Sequence, residues 1–304
     1  MKIYFLFILL SCLECYGCRP DRLHNARIIQ FEHVNIPYDL NHPKTQTVLP
    51  DALHEISDIT YLGNNQLACI QDEKGTIYIY DIARNLVIHA YKFGKDGDYE
   101  GIAFANKVLY VLRSDGELFE VVNYAQPSPQ TNKYTTGLPA DNNEGLCYDP
   151  NNNCLLITSK DKPEDEKKDK NWRYIYQFDL VTKHLSKQPL FQVDLTEMEN
   201  YAKKNDIPRP TKVTKDGDVK KKKLHFRTSA VAIQPGTNDI YALSGKEFLL
   251  YIFTSTGNLI GIVPLDHKKF PQAEGICFLP DKRMIITNEG RDGLPTLLIF
   301  DHKK

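Results

Sequence analysis

The sequence predicts an all-β fold, a β-propeller of five blades with four antiparallel strands each. Three observations carry this. A five-residue motif recurs five times at near-constant spacing. Each copy is followed by further apolar runs bounded by turn residues. The last unit stops one strand short, and a spare strand precedes the first.

The motif reads polar or acidic, usually Gly, aliphatic, any residue, then aromatic or aliphatic. Its copies are Ser57-Asp58-Ile59-Thr60-Tyr61, Glu100-Gly101-Ile102-Ala103-Phe104, Glu144-Gly145-Leu146-Cys147-Tyr148, Ser229-Ala230-Val231-Ala232-Ile233 and Glu274-Gly275-Ile276-Cys277-Phe278. The steps between them are 43, 44, 85 and 45 residues, so one unit carries a long insertion. About ten residues on, a second strand follows each copy, as in Val108-Leu109-Tyr110-Val111-Leu112. A polar turn such as Ser114-Asp115-Gly116 leads to a third strand, as in Thr76-Ile77-Tyr78-Ile79-Tyr80. A more polar fourth strand ends most units, as in Val87-Ile88-His89-Ala90-Tyr91. A lone four-stranded sheet cannot bury both faces. Such units must pack around an axis, making residues 19–304 one propeller domain. The last unit ends after its third strand, near Asp301. The spare segment Arg27 to Ile36 is expected to supply its outer strand and latch the ring.

Composition agrees. The chain has 304 residues, 41% hydrophobic, with 17 Tyr and 14 Phe, which favours sheet. Net charge is −1 with no sign imbalance, which argues against duplex nucleic acid or a polybasic membrane contact. Residues 1–18 read as a signal peptide: Lys2, then an apolar run from Ile3 to Leu10, then small residues and cysteines. The apolar run is too short to span a bilayer. Cys12 and Cys18 could each end a lipoprotein signal, and Cys18 suits the usual length better. Lipidation would tether the chain without a membrane span; ordinary cleavage and release is the alternative. The C-x₂-C-x₂-C spacing of Cys12, Cys15 and Cys18 lacks a fourth partner nearby, so a cluster is not expected. Cys69, Cys147, Cys154 and Cys277 lie in apolar runs and read as small buried hydrophobes. A Cys147–Cys154 disulfide is open to an oxidising compartment.

Two charged segments fill the long step. Lys160 to Lys170 reads as a solvated hairpin loop. The inserted segment at 194–223 combines a short helical stretch, prolines and the run Lys220 to Lys223.

In a propeller the innermost strands line the channel. The first motif positions, Ser57, Glu100, Glu144, Ser229 and Glu274, should therefore ring its mouth, with Asp58 beside Ser57. The turns after the second strands add Asp72, Glu73, Asp115, Lys160, Lys246, Glu289 and Arg291 at the rim. Converging carboxylates repel, so raised pKa values, basic neighbours or a bound cation must offset them. Oxygen-only ligands suit Ca²⁺, with Glu100, Glu144, Glu274 and Asp58 as its candidate ligands. Ser57, Ser229, Asp115, Lys246, Glu289 and Arg291 would contact a small polar ligand. The alternative is structural: each Glu-Gly starts a strand, and Gly permits close packing at the axis. The chain has no G-x-S-x-G, no H-E-x-x-H and no phosphate loop, and its nine histidines are scattered.

The succession Ser-Asp-Ile, Asp-Tyr-Glu-Gly-Ile, Asn-Asn-Glu-Gly-Leu, Ser-Ala-Val-Ala-Ile-Gln-Pro and Gln-Ala-Glu-Gly-Ile resembles the SdiA-regulated, YjiK-like family of calcium-regulated β-propeller proteins. So does Ile286-Thr287-Asn288-Glu289-Gly290. The chain departs from that pattern at Asp58 and Ala230, where Gly is usual, and in the 194–223 insertion. The resemblance implies an exported bacterial cell-envelope or outer-membrane protein, often a lipoprotein, with periplasmic or secreted forms as alternatives. It supplies no settled activity. The expectation is a binding or interaction protein taking Ca²⁺ or a small polar ligand, or an envelope protein, at the channel mouth. The alternative is a metal-dependent hydrolase of phosphoesters, lactones or saccharides, with Lys160, Arg173, Lys246 and Arg291 holding an anion. A monomer is expected, because a closed ring hides its edges.

Overall fold

The computed structural model describes residues 36–126, 129–160, 171–208, 211–215, 217–221, 223–291 and 293–303. It is a five-bladed β-propeller built from antiparallel four-stranded sheets. The first strand, β1 (Thr45–Val48), belongs to the last blade. Blade one is β2 (Ile56–Gly63), β3 (Gln66–Gln71), β4 (Thr76–Asp81) and β5 (Leu86–Lys92). Blade two is β6 (Tyr99–Ala105), β7 (Val108–Arg113), β8 (Glu117–Val122) and β9 (Gln130–Thr135). Blade three is β10 (Asn143–Asp149), β11 (Cys154–Ser159) and β12 (Trp172–Asp179), with its outer position split between β13 (His184–Leu185) and β14 (Phe191–Asp194).

The insertion follows. It is α1 (Leu195–Lys204) and a two-stranded hairpin of β15 (Thr211–Val213) and β16 (Val219–Lys221). Asp194 caps α1, its carboxylate accepting the Thr196 N–H at 2.7 Å. Met198, Tyr201 and Ala202 of α1 are buried in the core shared by blades three and four. Blade four is β17 (Ala230–Ile233), β18 (Ile240–Ser244), β19 (Leu249–Phe253) and β20 (Leu259–Pro264). Blade five is β21 (Ala273–Phe278), β22 (Met284–Asn288) and β23 (Thr296–Phe300), completed by β1.

An N-terminal strand thus closes the last blade, as expected, but it is Thr45–Val48. Arg27 to Asn35 lie outside the described residues. The register Thr45↔Ile299 to Val48↔Thr296 is extended by Lys44 N–H to Ile299 O (2.7 Å) and Leu49 N–H to Pro295 O (2.8 Å). The inner strands β2, β6, β10, β17 and β21 contact one another in cyclic order, which closes the ring. Each blade's middle strands are buried on both faces, and the apolar cores lie between blades. Cys69, Cys147, Cys154 and Cys277 are free thiols. Among the described residues no helix is long and apolar enough to cross a membrane. Residues 1–18, including Cys12 and Cys18, and residues 161–170 lie outside the described residues.

Candidate functional site

A backbone irregularity builds the ring. The pairing of four of the five inner strands with their neighbours shifts register, between Ile56 and Asp58, Tyr99 and Gly101, Asn143 and Gly145, and Ala273 and Gly275. The residues left unpaired are Ser57, Glu100, Glu144 and Glu274. A bulge re-aims one side chain without ending the strand. In blade four Ser229 stands at the same place, just before β17.

The next residue packs against the following blade. A Cβ on Gly101 would stand 2.6 Å from Leu146 Cβ and 2.8 Å from the Glu144 carbonyl. A Cβ on Gly145 would strike the Thr158 hydroxyl. Blade one carries Asp58 there instead. Its carboxyl is 1% exposed and takes the Ile102 N–H on Oδ2 at 2.9 Å. Burial raises its pKa well above the usual carboxylate range, although backbone amides of Ile102, Ile59 and Ile276 pull it down. Asp58 therefore plugs the axis just inside the ring.

Lys160, at the end of β11, turns its ammonium into the ring and meets Glu144 Oε1 at 2.6 Å. Its field also reaches Glu274 and Glu100. Burial, first of all, lifts the three glutamates: Glu100 to about 8, Glu144 to about 9 and Glu274 to about 7. Their mutual repulsion adds to this for Glu100 and Glu144. One ammonium faces three carboxylates, so the ring as a whole gives up its protons only as pH passes from about 7 to about 9. Gln272 donates to Glu274 Oε1 at 2.5 Å. Asp72, at the blade-one rim, is raised to about 6 by burial and by Glu55, Glu289, Glu73 and Asp98.

The ring's surroundings hold several buried oxygens without a protein partner. Among the described residues, the buried side-chain oxygens with no protein hydrogen-bond partner are Asp58 Oδ1, Gln71 Oε1, Asp72 Oδ1, Glu144 Oε2, Thr287 Oγ1 and Asn288 Oδ1. All sit at the ring or at the adjoining ends of β3 and β22, since Ile56 pairs with Gln71 and Ala273 with Asn288. Gln71 and Asn288 were not among the sequence-based candidates. A signal for them existed: the second strands of the blades end on Gln71, Arg113, Ser159, Ser244 and Asn288, all polar.

The other expected site residues divide. Glu289 and Arg291 pair at 3.5 Å beside Glu274 and border the ring. Asp115 is held by Arg113 at 2.6 Å, which lowers its pKa. Ser229 stitches blades: its hydroxyl donates to the Ala273 carbonyl at 2.8 Å and accepts the Gly245 N–H at 3.2 Å. Ser57 is buried, and Lys246 is exposed on the turn after β18. Arg173 is buried and donates to the Trp172 carbonyl. Among the described residues no three His, Cys, Asp or Glu side chains stand close enough to hold a metal ion. The Lys160 ammonium shares the ring with Glu100, Glu144 and Glu274, three of the candidate Ca²⁺ ligands.

No protein-family model matches the chain, and no curated protein matches it in sequence. Solved structures do. The glutaminyl cyclase of Myxococcus xanthus is 14% identical with a TM-score of 0.57, over 86% of this chain and 97% of that one. Hydrazine synthase of Kuenenia stuttgartiensis is 11% identical over 81% of this chain and 59% of that one, with a TM-score of 0.43. Virginiamycin B lyase of Staphylococcus aureus is 13% identical over 83% of this chain and 68% of that one, with a TM-score of 0.42. The first supports the propeller fold and nothing finer, and the other two carry no argument.

Proposed function

We propose that the chain is a binding protein whose channel mouth holds a small polar ligand through a cationic, donor-rich head such as a primary ammonium. The observation that carries this is the cluster of buried oxygens without a protein partner, Glu144 Oε2 among them, which accept once the glutamates ionise. An ammonium supplies up to three donors and one positive charge, which suits three glutamates that share the ammonium of Lys160. Raised carboxyl pKa values at a mouth accord with a functional site. The resemblance to SdiA-regulated propellers, export through residues 1–18, anchoring at Cys18 and monomeric assembly belong to the same proposal and rest on the sequence alone.

The test is calorimetric titration of the mature chain with ethanolamine and, separately, with CaCl₂. Ethanolamine is expected to saturate one site. Its affinity should rise between about pH 6 and pH 9, as the glutamates lose protons, and fall about tenfold or more in Glu144→Gln. Heat from CaCl₂ alone would overturn the ammonium reading in favour of a divalent cation. Silence from both would make the mouth structural.

A second reading has its own support. Glu274 near 7 and Glu100 near 8 are poised for proton transfer at neutral pH. An acid–base enzyme at this mouth would turn over a substrate with a bell-shaped pH profile bounded by these groups. An N-terminal glutaminyl peptide, whose ammonium also suits the mouth, belongs in the assay panel.

A further inference from the structure

The motif has two more inward positions, and they build a different site at the other end of the channel. The third positions, Ile59, Ile102, Leu146, Val231 and Ile276, are at most 2% exposed and close the channel from below the acidic ring. The fifth positions, Tyr61, Phe104, Tyr148, Ile233 and Phe278, stand around the opposite mouth, four of them only half-buried. All ten line one axial cavity of about 300 Å³ to which every blade contributes.

Its chemistry is the reverse of the upper mouth. No charged residue is among those that line it. Cys147 and Cys277 add thiols that burial keeps protonated. The Gln234 amide at the rim is already engaged, donating to the Tyr38 hydroxyl at 2.7 Å and accepting from Thr237 at 2.7 Å. The Tyr148 hydroxyl lies 3.1 Å from the Asn153 amide oxygen. An ion entering here would lose its hydration and find no counter-charge. An apolar guest would lose nothing and would bury aromatic surface. Its volume and its aromatic and aliphatic wall suit a mainly apolar guest of about two rings, with Thr60 and Asn238 as the other polar side chains of the lining.

We propose that the lower channel mouth is a second binding site, for an uncharged, mainly apolar molecule of about two-ring size. The layer of five aliphatic side chains separates it from the acidic mouth, so the two ends can be occupied independently.

The test is fluorescence titration of the mature chain with N-phenyl-1-naphthylamine, an uncharged two-ring molecule that brightens in apolar surroundings. A saturable one-site rise is expected. Val231→Phe, which fills the floor, should weaken it about tenfold or more. Ile233→Glu, on the half-exposed wall, should do the same by placing a charge there and keeps the test valid if the floor variant fails to fold. Near-ultraviolet circular dichroism checks folding in both. A rise that never saturates, or one unchanged in folded Ile233→Glu, overturns the proposal.

Discussion

Glu100 shares the field of Glu274 and Lys160. Its pKa is pushed from the ordinary 4.5 to about 8, with burial as first cause. Between those values the folded chain holds a proton that the unfolded chain releases. Its contribution is therefore most favourable below about pH 4.5, and it declines as pH rises towards 8. Glu100→Gln removes that titration. The variant is expected to melt close to the wild type at about pH 5 and a few degrees higher at about pH 9. A melting difference that does not change with pH would refute the burial of this carboxyl. The choice of Glu rather than Ser at the first motif position was legible in the sequence. The place of Lys160 at the rim was legible too, but its pairing with Glu144 was not, because spacing along the chain does not say which carboxylate a rim lysine meets.

The inner strand needs a bulge at its first motif residue and a near-absent side chain at its second. Gly101 shows why: the Leu146 and Glu144 backbone region of the next blade fills the space a Cβ would take. Gly101→Ala should cost about 2 kcal/mol by overpacking, read as a lower midpoint in urea with an unchanged slope. An unchanged midpoint would show that the ring relaxes more easily than this geometry allows. Asp58 breaks the Gly rule without disrupting the ring, because its carboxyl replaces lost contacts with the Ile102 amide. Sequence spacing marked the recurring Gly. It could not mark the bulge, which exists only through the register between two strands, as in Asn143↔Ser159 and Gly145↔Thr158. The helical stretch within the insertion was visible as a composition. Its docking through Met198 and Tyr201 depends on a hydrophobic surface that blades three and four create together.

Closure is a property of the whole ring. β1 joins the beginning of the described chain to its end, and Lys44 pairs with Asp301 at 2.9 Å. Removing residues 36–48 would strip β23 of its outer partner and expose a sheet edge. The deletion is expected to lose cooperative thermal unfolding and to aggregate on size-exclusion chromatography, and a sharp monomeric melt would show that the latch is dispensable. The repeat determined the blade number and strand order by itself, because each unit's apolar runs and turns are local and recur at a fixed period. It also marked the first motif residues that the strand bulges turn out of register, but not Gln71 and Asn288 beside them. The exact latch segment and the apolar cavity were decided only by tertiary structure, because the first is a pairing between the two ends of the chain and the second needs side chains from all five blades at an axis that no local stretch of sequence contains.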